Sequence, residues 1–215
     1  MLTLFTTAKP FVGHSGIIQG NALKSWALLY PDVEVILFGD DEGAAEVCKQ
    51  LCLRHEPYVE RHESGMKYLN YMFHRAQTIA RYSYLCYANC DIIFLDDFLQ
   101  AFIKTAKWRR QFLMVGQRWD TDIVKSIDFN NSEWASALRQ LVQRTGFRQK
   151  RHFVDYFVFS KGLYDQVPPL VVGRSWWDHW LVWKALSSSV PVIDCSSAVL
   201  AFDAKSNPWR PGHCS

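Results

Sequence analysis

Short apolar runs alternate with segments of helical spacing along most of the chain. Residues 2–7 form a β-type run, and residues 16–30 place Ile17, Leu23, Trp26 and Leu29 on one helical face before Pro31-Asp32 breaks the pattern. Residues 33–41 (VEVILFGDD) are almost continuously apolar after Glu34, as buried parallel strands are, and 42–51 read as a helix. Residues 54–61 suit a weak strand or a loop. A helix is predicted over 66–81, a strand over 84–94, and a helix over 97–107 with Asp96 or Asp97 as its N-cap. Further strands are predicted at 112–118 and 152–160, with one or two more inside 190–202. Between them lie helices at 132–144, stopped by Gly146, and at 176–186.

Repeated strand–helix units predict an α/β fold: a Rossmann-like, mostly parallel central sheet with helices on both faces. Ligands of such sheets bind at the carboxyl ends of the strands. That rule selects Thr6 and Thr7, residues 39–41, residues 89–91 and residues 118–120.

Composition changes this picture little. The 215 residues suffice for one substantial core. A net charge of +3 without a block of Lys and Arg argues against nucleic acid. Nine Trp suit either a core or a site for flat, amphipathic ligands such as sugars and nucleobases. Six Cys contain no C-x-x-C; the four-residue separations of Cys48/Cys52 and Cys86/Cys90 read as buried thiols rather than a zinc site. No run reaches the length of a membrane span, and the first ten residues lack the charge and apolar stretch of a signal peptide, so a cytoplasmic location is expected. One glycosylation triplet, Asn130-Asn131-Ser132, is of a kind that arises easily by chance.

Several acids invite a chemical reading. Asp40 and Asp41 close the second strand, where a carboxylate can accept from a ribose hydroxyl or a base N–H; from the residues alone, ordinary turn chemistry with Gly43 is the favoured account. Asn89 and Asp91, two apart on an extended strand, would share a face and offer two oxygens to a hard cation gripping a diphosphate. Asp178 opens a helix among aromatic residues and suits either a first-turn acid or a general base. Trp176, Trp180 and Trp183 recur at helical spacing as core residues do, which leaves Trp177 as the ring for a sugar. Asp155 shares a strand face with Phe153, Phe157 and Phe159, so it needs a partner, with Arg148, Arg151 or Arg174 available. Neither G-x-G-x-x-G after the first strand nor a P-loop is present, and there is no G-x-S-x-G.

Seven stretches, taken in order, resemble the nucleotide-diphospho-sugar transferases of the GT-A fold. They are TTAKPF (6–11), IQGNALKSWALL (18–29), VEVILFGDDEGAAEV (33–47), LRHEPYVER (53–61), LCYANCDIIFLDDFLQA (85–101), residues 155–185 and VPVIDCSSAVLA (190–201). More narrowly, the chain looks like a bacterial and algal group of glycosyltransferase-like proteins. The resemblance implies one GT-A domain over 1–215, with a nucleotide-binding half (1–100) and an acceptor half (101–215) that ends in a divergent tail. It implies that Thr6, Thr7 and Asp40 hold the nucleotide. Asn89 and Asp91 would serve as an N-x-D form of the metal- and diphosphate-binding D-x-D. Asp203 stands where similar proteins carry a metal-contacting His.

The implied activity moves a sugar from a nucleoside-diphosphate sugar to an acceptor hydroxyl of a glycan, lipid or small molecule, assisted by Mn²⁺ or Mg²⁺ on Asp91 and Asp203. Asp178 would be the base and Asp155 the alternative base, with Trp177 and Tyr156 positioning the acceptor. Two other classes remain: a catalytically impaired GT-A-like domain that binds a nucleotide or a partner, and a nucleotidyltransferase. The latter wants a glycine-rich basic loop after the first strand, where this chain offers only Lys9.

Overall fold

The computed structural model describes residues 1–174 and 176–203. The elements in chain order begin with β1 (Leu2–Thr7), α1 (Gly13–Ala27), β2 (Val33–Phe38), α2 (Ala44–Leu51), β3 (Arg54–Glu56) and α3 (Leu69–Ile79). They continue with β4 (Tyr84–Ala88), β5 (Ile92–Ile93), α4 (Asp96–Trp108), β6 (Leu113–Asp120) and α5 (Trp134–Thr145). The last are β7 (Phe147–Arg148), β8 (Val154–Ser160), α6 (Trp177–Ser187), β9 (Val192–Asp194) and β10 (Ala201–Asp203). The residues after Asp203, including the divergent tail, lie outside the described residues.

The strands join in the order β3-β2-β1-β4-β8-β6-β10-β5, with β7 and β9 also pairing with β6. The first four strands are parallel, as strand–helix alternation requires. The second half departs from the predicted mostly parallel sheet. β8 inserts between β4 and β6 and runs against both, and β5 and β7 pair antiparallel with β10 and β6. β7 follows β6 through α5 and still pairs with it antiparallel, so strand–helix alternation does not fix strand direction in this half.

Strand alternation sends side chains to two cores. One face (Leu4, Val35, Leu37, Cys86, Met114 and Val158) packs against α1, α2, α4 and α5. The other (Phe5, Ile36, Leu85, Phe157 and Phe159) packs against α3 and α6. Helices thus cover both faces, as expected. A register shift in β6 between Val115 and Gln117 coincides with Gly116, where an added Cβ would lie 2.0 Å from Tyr156 Oη. Only glycine admits that ring.

Two local expectations fail for identifiable reasons. The N-cap of α4 is Leu95, without a side-chain cap; Asp96 and Asp97 sit in the first turn, where Arg139 donates to Asp96 Oδ1 at 2.7 Å and Asp97 Oδ2 at 2.6 Å. At α6 it is Trp177 that is buried, while of the tryptophan row read as core Trp176 and Trp183 are exposed and only Trp180, half-buried, packs against the core. The helix is apolar on nearly all sides, so periodicity alone could not choose its buried face.

Candidate functional site

A cavity of about 430 Å³ opens at the carboxyl edge of β1, β2 and β4. Its walls come from the β1–α1 loop (Thr7–Pro10), Asp41 beyond β2, the loop from Arg61 to Lys67, the turn Asn89–Asp91, and Trp177. This is the edge that the strand-end rule selects.

The β1–α1 loop is held like a strand without a strand partner. Gln19, buried on α1, accepts from Lys9 N at 2.7 Å and donates to Lys9 O at 2.9 Å. Thr7 Oγ1 donates to Phe38 O at 2.9 Å, tying β1 to the end of β2. Thr6 is fully buried and its hydroxyl donates to Thr7 O at 3.3 Å. Of the two threonines, only Thr7 reaches the cavity wall.

At the end of β2 the two acids part. Asp40 points to solvent and accepts from Arg61 Nη2 at 2.6 Å, a bond that holds its carboxyl below the ordinary carboxylate range. Asp41 turns into the cavity wall and meets Lys67, whose ammonium also donates to Ala8 O at 2.7 Å. Lys67 is buried, and desolvation lowers its pKa despite the Asp41 carboxylate. Gly39 makes room: its φ is +107°, and a Cβ there would lie 2.9 Å from Lys67 Nζ. Both acids lie beyond the end of β2, past the bend at Gly39, and of the two it is Asp41 that lines the cavity. Replacing Lys67 by Met should cost about 2–3 kcal/mol, because Asp41 and the Ala8 carbonyl lose a buried donor. Chemical denaturation checks this, and the double variant Lys67→Met/Asp41→Leu should recover part of the loss.

The predicted strand over 84–94 is broken at the motif. β4 ends at Ala88, residues 89–91 form a turn closed by Ile92 N donating to Asn89 O at 3.1 Å, and β5 follows. Asn89 and Asp91 both line the cavity, brought there by a turn rather than by alternation along one strand.

Behind Asn89 lies a buried polar cluster. Asn89 Nδ2 donates to Asp155 Oδ1 at 2.6 Å, and Arg118 Nη1 donates to Asp155 Oδ2 at 2.7 Å. Arg118 Nε donates to Asp120 Oδ1 at 2.9 Å and lies 3.8 Å from Asp203 Oδ2. Burial raises the pKa of Asp155, with Arg118 opposing the shift. The partner of Asp155 is therefore Arg118, two positions before the end of β6, and none of the three arginines proposed from sequence. Both its oxygens are engaged, and it is not part of the cavity wall.

Tyr156 does not line the cavity either. Alternation along β8 turns its ring to the opposite core, edge-on to Phe94 and Phe98, with its hydroxyl against Gly116. Trp177 does reach the cavity, edge-on to Tyr87 at 5.3 Å between ring centres. Asp178 stands in the first turn of α6 and accepts from the backbone N and ring Nδ1 of His179; it is not part of the cavity wall.

Lys67, Arg61 and Gln19 carried no signal in the sequence, being single polar residues in a loop or on a helix, which only the approach of distant strands gives a role. Among the described residues, no three His, Cys, Asp or Glu come together as a metal site. At the β4–β5 turn the wall offers a carboxylate (Asp91) and an amide (Asn89); its other carboxylate, Asp41, meets Lys67, and its other amide, Gln19, bonds the Lys9 backbone. Such a donor set fits a cation that arrives with a diphosphate supplying most of its oxygens, as Mg²⁺ commonly does. Asp203 is buried beside Ile92 and faces Arg118. Also among the described residues, no helix is long and apolar enough to cross a membrane.

The fold is similar to that of S. aureus TarS. A crystal structure of TarS 1–349 superposes with a TM-score of 0.60 at 11% identity, covering 94% of this chain and 59% of that one. A structure of TarS 1–349 in complex with UDP-GlcNAc gives 0.62 at 11% identity, covering 100% and 61%. A further TarS structure gives 0.63 at 12%, covering 95% and 37%. The chain spans well under two thirds of the TarS lengths it matches. No family model and no curated protein matches the chain. The likeness is one of fold, to a protein that was crystallised with a nucleotide sugar.

Proposed function

We propose that this chain is a glycosyltransferase of the GT-A class that moves a sugar from a nucleoside-diphosphate sugar to an acceptor hydroxyl. The observation that carries the reading is the cavity at the carboxyl edge of β1, β2 and β4, which brings Asn89 and Asp91 together with Lys9, Arg61 and Asp41. Acceptors for a ribose or a cation and basic groups for phosphate share one opening. The fold shared with a UDP-GlcNAc-bound protein supports it.

In this reading Thr7 and Asp41, rather than Thr6 and Asp40, hold the nucleoside end, and Asn89 and Asp91 face the diphosphate. A divalent cation carried in with the donor, Mn²⁺ or Mg²⁺, would sit on Asp91 and neutralise charge on the departing nucleoside diphosphate. Trp177 offers its ring to the sugar. The acceptor oxygen attacks the anomeric carbon, the bond to the diphosphate breaks, and the acceptor proton passes to Asp178 if the reaction inverts. Asp203 backs Arg118 and reaches a cation only if that contact yields. The whole of 1–215 acting as one catalytic domain belongs to the same proposal.

A second reading, a nucleotide-binding domain without turnover, is favoured by one feature: Asp178 is bonded to His179 and stands outside the cavity wall. Calorimetric titration with UDP and GDP, with and without Mn²⁺, followed by a nucleotide-sugar panel read as released nucleoside diphosphate, separates the two. Mn²⁺-enhanced binding with release is the expected result. Binding without release selects the second reading, and no binding of either nucleotide overturns both.

A further inference from the structure

We propose that Arg118 and Asp155 are positioning residues that orient the Asn89 amide, and that Asp155 is the reason position 89 carries an amide rather than a carboxylate. The proposal rests on the reading that this cavity takes a diphosphate, and it assigns a task to a cluster which that reading leaves without one.

β4 and β8 run antiparallel with Ala88 opposite Tyr156, so Asn89 and Asp155 meet just beyond the paired residues. Their backbones bond there, Asn89 N donating to Asp155 O at 3.0 Å, and their side chains bond at 2.6 Å. Asp155 receives Arg118 on one oxygen and Asn89 on the other. A carboxylate only accepts, so Asn89 must present its amine to Asp155. The amide oxygen is then the atom left for the cavity side, beside Asp91, and the pair offers acceptors alone to a cation or a sugar hydroxyl.

Arg118 is itself held in place. Asp120 takes its Nε, and the second oxygen of Asp120 accepts from buried Gln149 at 2.6 Å. The guanidinium also lies over the Phe153 ring at 5.5 Å. Arg118 therefore cannot swing away from Asp155 without breaking a second ion pair. A carboxylate at position 89 would face Asp155 at the same 2.6 Å as a like charge with no hydrogen between them. The departure from D-x-D is thus matched by a residue 66 positions away.

The test is a polarity swap. Asn89→Asp alone should lower the melting temperature by about 5–10 °C. The double variant Asn89→Asp/Asp155→Asn should recover most of that loss, because an Asn at 155 can accept from Arg118 and donate to an Asp at 89. Arg118→Gln should weaken Mn²⁺-dependent UDP binding about 10- to 100-fold in calorimetry, as loss of an outer-shell partner does. A double variant that melts no higher than Asn89→Asp, or UDP binding unchanged in Arg118→Gln, would overturn the proposal. If Asn89→Asp does not fold, folding of the double variant is the same rescue. If the wild-type chain binds no UDP, the functional reading falls while the melting comparison still decides the pairing.

Discussion

Asp91→Ala is expected to lower metal-dependent donor hydrolysis or transfer about 10²- to 10³-fold while the protein stays folded. The rate follows from losing several kcal/mol of charge stabilisation at the leaving diphosphate, each 1.36 kcal/mol being about tenfold. The persistence of the fold follows from position. Asp91 lies in the β4–β5 turn, half-buried on the cavity wall, and the turn is closed by the backbone bond from Ile92 N to Asn89 O. Initial-rate measurement of nucleoside diphosphate release, paired with a thermal melt, checks both parts. Unchanged turnover would remove Asp91 from the site.

Phe73→Ala is expected to destabilise the protein by about 3–5 kcal/mol, the range for deleting a fully buried aromatic ring. Phe73 has no exposed surface and touches four rings: Phe5 at 5.0 Å, Tyr87 at 5.5 Å, Tyr164 at 5.5 Å and Phe159 at 5.6 Å between centres. At 2–4 °C per kcal/mol for a chain of this size, the melting temperature should fall by roughly 6–20 °C. Tyr87 leans on Phe73 and forms part of the cavity wall with Trp177, so nucleotide affinity should fall as well. Phe73→Leu, which keeps most of the volume, should lose less than half as much in denaturant unfolding.

The strands and helices of the first half were legible because each repeats a local signal. β1 and β2 are apolar runs cut by polar turns, and a strand–helix–strand connection admits essentially one handedness. The carboxyl-edge rule then led to the end of the sheet where the cavity opens. It could not tell which of two adjacent residues faces inward. Thr7 and Asp41 line the cavity while Thr6 and Asp40 do not, a difference of one residue at the end of β1 and in the turn beyond β2. The direction of β8 was equally hidden. Nothing within this run of seven residues records which neighbours it will join, and those neighbours in the sheet are distant in sequence.

What the sequence determined by itself is the α/β alternation, the two-faced core and the concentration of polar groups at strand ends. These depend on periodicity and turn residues within a few positions of one another. What only the tertiary structure decided is partnership. Lys67 meets Asp41 and Ala8, Gln19 stands in as a strand for Lys9, and Arg118 joins Asp155 to Asn89. A buried polar group must find its complement wherever the chain brings one. That complement can lie tens of residues away, where no local pattern records it, and so the chemistry at Asn89 was settled by β6 and β8 rather than by the motif around it.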